Sequence, residues 1–412
     1  MKILYVLDTY YPKIDGPATV INQLSEIINQ NEFAIIDILV PYFPNYTDKF
    51  NYRVIRCKSL PGTDGYRTPT PIFNLKLKSL LKKENYDIIH IHSPFTLGNF
   101  ALKFAKKHNI PSICTVHTNY LSDFKRKLKC KILVNFMMKY ISKIINKADY
   151  LLTVSNQFSK DLKNQYGCHK KANVIRNATE FIDNTDLSDK ITLLNQKHKI
   201  TSEFKLLFVG RLVKNKNIQF SLKVLRELKN SNITNFKFFI VGDGDFKKDL
   251  ISITKEYGLE NNVVFTGLIE NRDELKSYYK FCDLFLFPSK IDTCGIVALE
   301  AGSLGLPSLM IKNTCASELI KNNYNGFVET ENIQLWEKSI IKIMDFKNYN
   351  DIRENAKKSL GITWKQISDK CINFYKFVLL LSKLKNKQTC VFIKHKKFKR
   401  ALIKTSSLYK GV

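Results

Sequence analysis

FLFPSKIDTCGIVALEAGSLG, residues 285–305, carries the reading of the whole chain. An apolar run without alternation (284–287) stops at Pro288-Ser289, a short polar loop follows, and a helix opens near Gly295. A strand apolar on both sides belongs to a parallel sheet covered by helices on both faces. The same strand–loop–helix unit recurs in both directions. Upstream lie predicted strands at 204–209, 236–241 and 263–267, with helices at 219–230, 246–257 and near 274–281; downstream a strand is predicted at 308–311. The first half alternates likewise, with strands at 2–8, 35–41, 53–57, 87–91, 112–116 and 150–154 and helical spacing at 18–30, 97–108 and 157–166. Between the halves, residues 183–203 are polar and without pattern, as an interdomain linker would be. The expectation is an α/β chain of two doubly wound, Rossmann-like domains facing a central cleft. Residues 1–185 form the first domain, 186–203 the linker, 204–362 the second domain, and 363–412 a C-terminal helix returning to the first domain plus a basic tail. Ligands of such sheets lie at the carboxyl ends of the strands.

The 412 residues suffice for two domains, and 44% hydrophobic with 25% charged residues fits large packed cores. No stretch reaches the roughly 18 uninterrupted apolar residues of a membrane span, and MKILYVLDTYYP ends too soon for a signal peptide. A cytoplasmic location is expected. Nine cysteines without C-x-x-C spacing argue against a disulfide framework and against zinc.

A net charge of +29 calls for phosphates, nucleic acid or an anionic membrane face. No nucleic-acid recognition motif is present, so nucleic acid is not expected as a partner. Within that charge, residues 122–147 stand out. There Phe124, Leu128, Ile132, Phe136, Tyr140 and Ile144 recur every four residues as one helical stripe, with Lys125, Arg126, Lys127, Lys129 and Lys131 crowding its start. Such a helix either packs on a core with a solvated lysine face or lies on an anionic membrane. A second anchor is expected after residue 372, where Phe374, Phe377, Val378, Leu380 and Leu381 precede Lys394, Lys396, Lys397, Lys399 and Arg400.

Five loops carry chemistry. In the opening stretch Asp292 starts a loop where a carboxylate binds hydroxyls, and Glu300 on the helix can accept two vicinal hydroxyls. The amides of Thr293, Gly295 and Ile296 at the helix start can meet a phosphate or sugar. In FVGRLVKNKN (208–217), Arg211 and Lys216 follow a strand-ending Gly210 and can clamp a diphosphate. VGDGDF (241–246) puts Gly242 and Gly244 after a strand, as a tight turn or a ligand loop. Gly16 sits between the first strand and helix, where a backbone-lined anion site forms. His117 follows a predicted strand. His90 and His92 share one face of another, which without a third ligand is no metal site.

In this order, HSPFTLG (92–98), TVHTNY (115–120), ADYLLTVS (148–155), VGRLVKNKN (209–217), VGDGD (241–245), VVFTG (263–267) and DLFLFPS (283–289), with the two acids, resemble glycosyltransferase family 4. The resemblance implies a GT-B fold and retaining transfer from a nucleotide-sugar, UDP-glucose first among donors. It also implies that leaving-group departure and acceptor attack occur on one face. Gly16 would approach the donor, His117 would contact the transferred sugar, Arg211 and Lys216 would hold the diphosphate, and Glu300 would bind the ribose. No cofactor or metal is implied, since Arg211 and Lys216 supply the positive charge. Asp292 stands where the family usually has Glu, Asp15-Gly16-Pro17 replaces its Gly-Gly, and Arg176-Asn177-Ala178 its Pro-Asn-Gly. HSPFTLG, HTNY and Asp-Thr look somewhat like diacylglycerol glucosyltransferases, which makes a membrane lipid the first acceptor expected. Lipid-linked or cell-surface saccharides are the alternative, and a non-catalytic sugar binder is the alternative of another class.

Overall fold

The computed structural model describes residues 1–13, 15–181 and 186–387. Lys394, Lys396, Lys397, Lys399 and Arg400 of the basic tail lie outside them. Two parallel sheets form. The first has seven strands in the order Val54–Cys57, Ile35–Pro41, Lys2–Val6, Ile88–Ile91, Ser112–Val116, Tyr150–Thr153 and Ala172–Val174. The second has six: Val263–Gly267, Phe236–Val241, Phe204–Val209, Leu284–Phe287, Ser308–Ile311 and Phe327–Glu329. Each sheet starts in its middle, runs to one edge, then crosses to the other side. The chain therefore reverses direction between Lys2–Val6 and Ile88–Ile91, and again between Phe204–Val209 and Leu284–Phe287, and a crevice opens beyond each reversal.

Alternation decides which face each side chain covers. In the first sheet Leu4, Val6, Leu39, Ile89 and Ile91 pack on one side, and Ile3, Tyr5, Ile36, Ile38 and Ile88 on the other. The C-terminal helix Trp364–Lys387 covers that second side, against the helix Gly16–Asn29. Tyr375 on it is fully buried and its hydroxyl meets that of Tyr5 at 2.6 Å. Phe374 and Val378, read as anchor residues, are core residues here. Burial of Phe or Val is worth about 1.5–3 kcal/mol, so they are not free for a membrane.

Two further expectations change. The stretch read as a linker carries a helix, Ser188–His198, packed by Ile191 and Leu194 on the second half's core. Two apolar contacts on a polar helix leave almost no periodic signal. The stripe over 122–147 is not one helix but two, Tyr120–Lys127 and Lys131–Ile145, with Leu128 extended between them. Stopping at Lys127 puts Lys125, Arg126 and Lys127 at a helix C-terminus, where cations are favoured, instead of stacking five like charges mid-helix. On the second helix Val134, Met138, Ile141, Ile144 and Ile145 are buried, whereas Ile132, Phe136 and Tyr140 face outward. No described helix is long and apolar enough to cross a membrane. The described cysteines are all free thiols.

Candidate active site

Loops leaving the two points of reversal meet between the sheets. On the first side, Asp15 caps the helix Gly16–Asn29, its carboxylate accepting from the Ala18 amide at 2.9 Å, and Pro17 stands in the first turn. Gly16 therefore faces the crevice with no crowding; a Cβ there would meet nothing within 4 Å. His117 follows the strand Ser112–Val116. On the second side Arg211 leaves the sheet exposed, and the turn Lys214–Lys216 brings Lys216 back inward. Gly295, at φ +68°, starts the helix Ile296–Ser303, and a Cβ on it would lie 2.8 Å from that of Ala316. Gly16, His117, Arg211, Lys216 and Asp292, with the Thr293, Gly295 and Ile296 turn, line one cavity of about 350 Å³.

Three buried polar atoms of this lining have no protein partner: Nδ1 of His117, Oδ1 of Asn215 and Oδ2 of Asp292. Leaving such an atom unmet costs about 1–3 kcal/mol, so together they mark where a polar ligand belongs. The other oxygen of Asp292 holds Lys216 Nζ at 2.5 Å, and that ammonium also stands 5.4 Å from the Phe287 ring centroid. Burial pushes the His117 imidazole down to about 4, so it is neutral near pH 7. Its Nε2 meets Nδ1 of His92 at 3.0 Å. The Thr293 hydroxyl donates to the His117 carbonyl at 2.6 Å and ties the two halves across the cavity floor. Glu318 makes a second tie, accepting from Asn156 Nδ2 at 2.7 Å, the Gln157 amide at 2.9 Å and Arg176 at 2.5 Å. A cleft with two cations, a carboxylate and unmet polar atoms suits a phosphorylated, hydroxyl-rich molecule.

The sequence matches Glycosyltransferase Family 4 over residues 14–180 and Glycosyl transferases group 1 over 189–359. The chain belongs to glycosyltransferase family 4. An alpha-monoglucosyldiacylglycerol synthase of Acholeplasma laidlawii is 26% identical over 361 residues, covering 81% of this chain and 86% of that protein. The UDP-Gal:alpha-D-GlcNAc-diphosphoundecaprenol alpha-1,3-galactosyltransferase of Escherichia coli is 27% identical over 300 residues, 69% of this chain and 73% of its own. Among solved structures, Anabaena Alr3699/HepE in complex with UDP superposes with a TM-score of 0.71 at 19% identity, covering 92% of this chain and all of that one. The fold is GT-B.

Not every expected residue of this family 4 glycosyltransferase lines the cavity. Glu300 is buried on the helix Ile296–Ser303, where its carboxylate accepts from the Tyr279 hydroxyl at 2.9 Å and from Arg272 at 3.2 Å. Burial raises its pKa and Arg272 opposes the rise. Gly242, expected to bind donor, does not line the cavity. At φ +137° its absent Cβ would fall 2.0 Å from the Gly210 carbonyl oxygen, so two strand ends require it to be glycine. Asn215 was not singled out, Asn177 entered only as part of a departure from the family pattern, and His92 only as a strand residue that makes no metal site. Asn215 stands inside VKNKN between the two lysines, the one place where its signal was in view.

Gly16 and Gly242 separate the two uses of glycine. Gly242→Ala is expected to destabilise the fold by at least about 2 kcal/mol in a denaturant titration. Gly16→Ala should leave stability unchanged and weaken nucleotide-sugar binding in calorimetry. For His117 the folded pKa lies below the unfolded value of about 6.5, so the unfolded state binds more protons between those pH values, and stability is lost as pH falls from about 6.5 to about 4. His117→Gln should lose less stability than the wild type over that range, read from melting temperatures.

Proposed function

We propose that this enzyme moves a hexose with retention from a UDP-sugar, UDP-glucose first among donors, to an acceptor presented at an anionic membrane surface, such as diacylglycerol. The observation that carries the donor half is the trio of unmet atoms on His117, Asn215 and Asp292 beside two cations. Sugar hydroxyls would satisfy the trio, and the diphosphate would lie toward Arg211 and Lys216. Glu300, beside the cavity, would take the ribose. As the bond from the sugar carbon to the diphosphate oxygen lengthens, negative charge grows on the leaving group. Arg211 and Lys216 stabilise it there with no divalent cation required. The ties between the halves would hold the two sides of the cleft together around the donor, where attack by water is the competing reaction. HepE in complex with UDP and the UDP-Gal-dependent relative support a uridine donor.

The acceptor half rests on the surface beside the cleft. Ile132 and Phe136 are 80% and 64% exposed, and Phe73, on a neighbouring segment, is 86% exposed. Lys127 reaches Asp64 of that segment at 3.5 Å. Lys125, Arg126, Lys127, Lys129 and Lys131 are all exposed around this apolar face. Arg126 and Lys127 are paired with Asp123 and Asp64; at about 1 kcal/mol per cation near an anionic leaflet, the other three contribute about 3 kcal/mol, and apolar insertion adds to that. The alpha-monoglucosyldiacylglycerol synthase supports a lipid acceptor. The diphosphoundecaprenol-dependent galactosyltransferase supports the second reading, a lipid-linked saccharide.

The test offers UDP-, GDP- and ADP-hexoses in EDTA, with phosphatidylglycerol vesicles that contain or lack diacylglycerol, and quantifies released nucleotide. Release from one UDP-hexose should rise about tenfold or more with diacylglycerol. The double change Ile132→Glu, Phe136→Glu should abolish that rise and keep the slow release seen without lipid. Release indifferent to vesicles would move the acceptor to a lipid-linked saccharide or soluble glycan.

A further inference from the structure

His117 does not stand alone. Its Nε2 is 3.0 Å from Nδ1 of His92, whose ring packs against that of His90, tilted by 35° with centroids 4.0 Å apart. His90 spends both nitrogens inside the fold, on the Tyr375 hydroxyl at 2.9 Å and the Thr115 hydroxyl at 2.6 Å. Burial holds all three rings below their ordinary pKa, so each is neutral and carries one N–H. Across the His92–His117 contact there is one proton, and two arrangements follow. If His117 Nε2 carries it, Nδ1 faces the cavity as a bare acceptor and His92 Nε2 must be protonated. If His92 Nδ1 carries it, His117 must be protonated at Nδ1 and offers the cavity a donor, while His92 Nε2 is bare.

The far side of His92 distinguishes them. Its Nε2 is buried without a partner, and His92 lines a cavity of about 20 Å³ with Thr115, Asn177, Tyr375 and Arg176, whose Nε is buried and unpartnered too. Arg176 Nε can only donate. A bare His92 Nε2 puts an acceptor on the same small cavity as that unmet N–H, whereas a protonated one leaves two unmet buried donors there, the rarer and costlier arrangement. The main cavity agrees. With His117 as an acceptor, all three unmet atoms would be acceptors, and one sugar hydroxyl has one proton to give. With His117 as a donor, a hydroxyl can accept from it and donate to Asp292.

We propose that His92 is a positioning residue that fixes the tautomer of His117, holding a proton on its Nδ1 so that this ring donates a hydrogen bond to a hydroxyl of the transferred sugar. Which nitrogen of a histidine is protonated is set by the bond the other one makes. The sugar as recipient rests on the donor-binding reading above; the tautomer itself does not.

Long-range proton–nitrogen correlation spectra of the ligand-free protein, labelled at histidine nitrogens, read it directly. His117 should show the Nδ1–H pattern in the wild type and keep it in His92→Asn, whose amide can donate to Nε2. It should lose that pattern in His92→Leu. Turnover should follow: kcat/KM falls about threefold to tenfold in His92→Leu, the worth of one neutral hydrogen bond, and recovers in His92→Asn, with UDP affinity equal in all three. An Nε2–H pattern for His117 in the wild type overturns the proposal, as does a His92→Asn variant no better than His92→Leu. Failure of the wild type to bind any nucleotide-sugar would overturn the sugar as recipient and leave the tautomer to the spectra.

Discussion

A parallel sheet with helices on both faces has no polar edge to spare except at the carboxyl ends of its strands, and the molecule is built around that constraint. Strands such as Phe204–Val209 and Leu284–Phe287 bury nearly every side chain, so chemistry is pushed into the loops that follow them. With two sheets joined through Thr293, Glu318 and the returning helix Trp364–Lys387, those loops face one another. The cleft is therefore a consequence of packing, and its polarity is what packing leaves over.

Charge inside the cleft is arranged before any ligand arrives. Lys216 is held by Asp292, and both side chains are about four-fifths shielded from water. At an effective dielectric of 20, a pair 4 Å apart attracts by about 4 kcal/mol, against a desolvation cost of similar size. The pair thus adds little net stability and keeps the ammonium in place. A diphosphate entering beside it would meet Lys216 already oriented and Arg211 exposed and free to turn. Electrostatic stabilisation is effective where dipoles and charges need not reorganise.

Much of this was legible in the sequence, for physical reasons that also explain the rest. Buried parallel strands read as apolar runs, and Gly16, His117, Arg211, Lys216 and Asp292 could be picked out together because the cavity they line lies where the loops leave the carboxyl ends of those strands. What escaped depends on contacts distant in sequence. Gly242 is glycine because of Gly210, thirty-odd residues earlier, which no local pattern reveals. His92 acquires meaning only beside His117, and Arg176 only beside Glu318, 142 residues away. The helix Ser188–His198 presents two apolar side chains to the core, too few for a period. The stripe over 122–147 was visible, but its break at Leu128 and its outward face depend on what packs beneath Val134 and Met138.

The central claim is that Arg211 and Lys216 take a nucleoside diphosphate into this cleft in place of a metal. Calorimetric titration of UDP into the full-length protein in EDTA tests it most directly. The account predicts saturable binding at one site per chain, weakened about tenfold or more by Arg211→Ala, the loss expected when a charge-assisted contact worth about 1.5–3 kcal/mol is removed. Binding that needs added magnesium or manganese, or that is indifferent to Arg211→Ala, would contradict it.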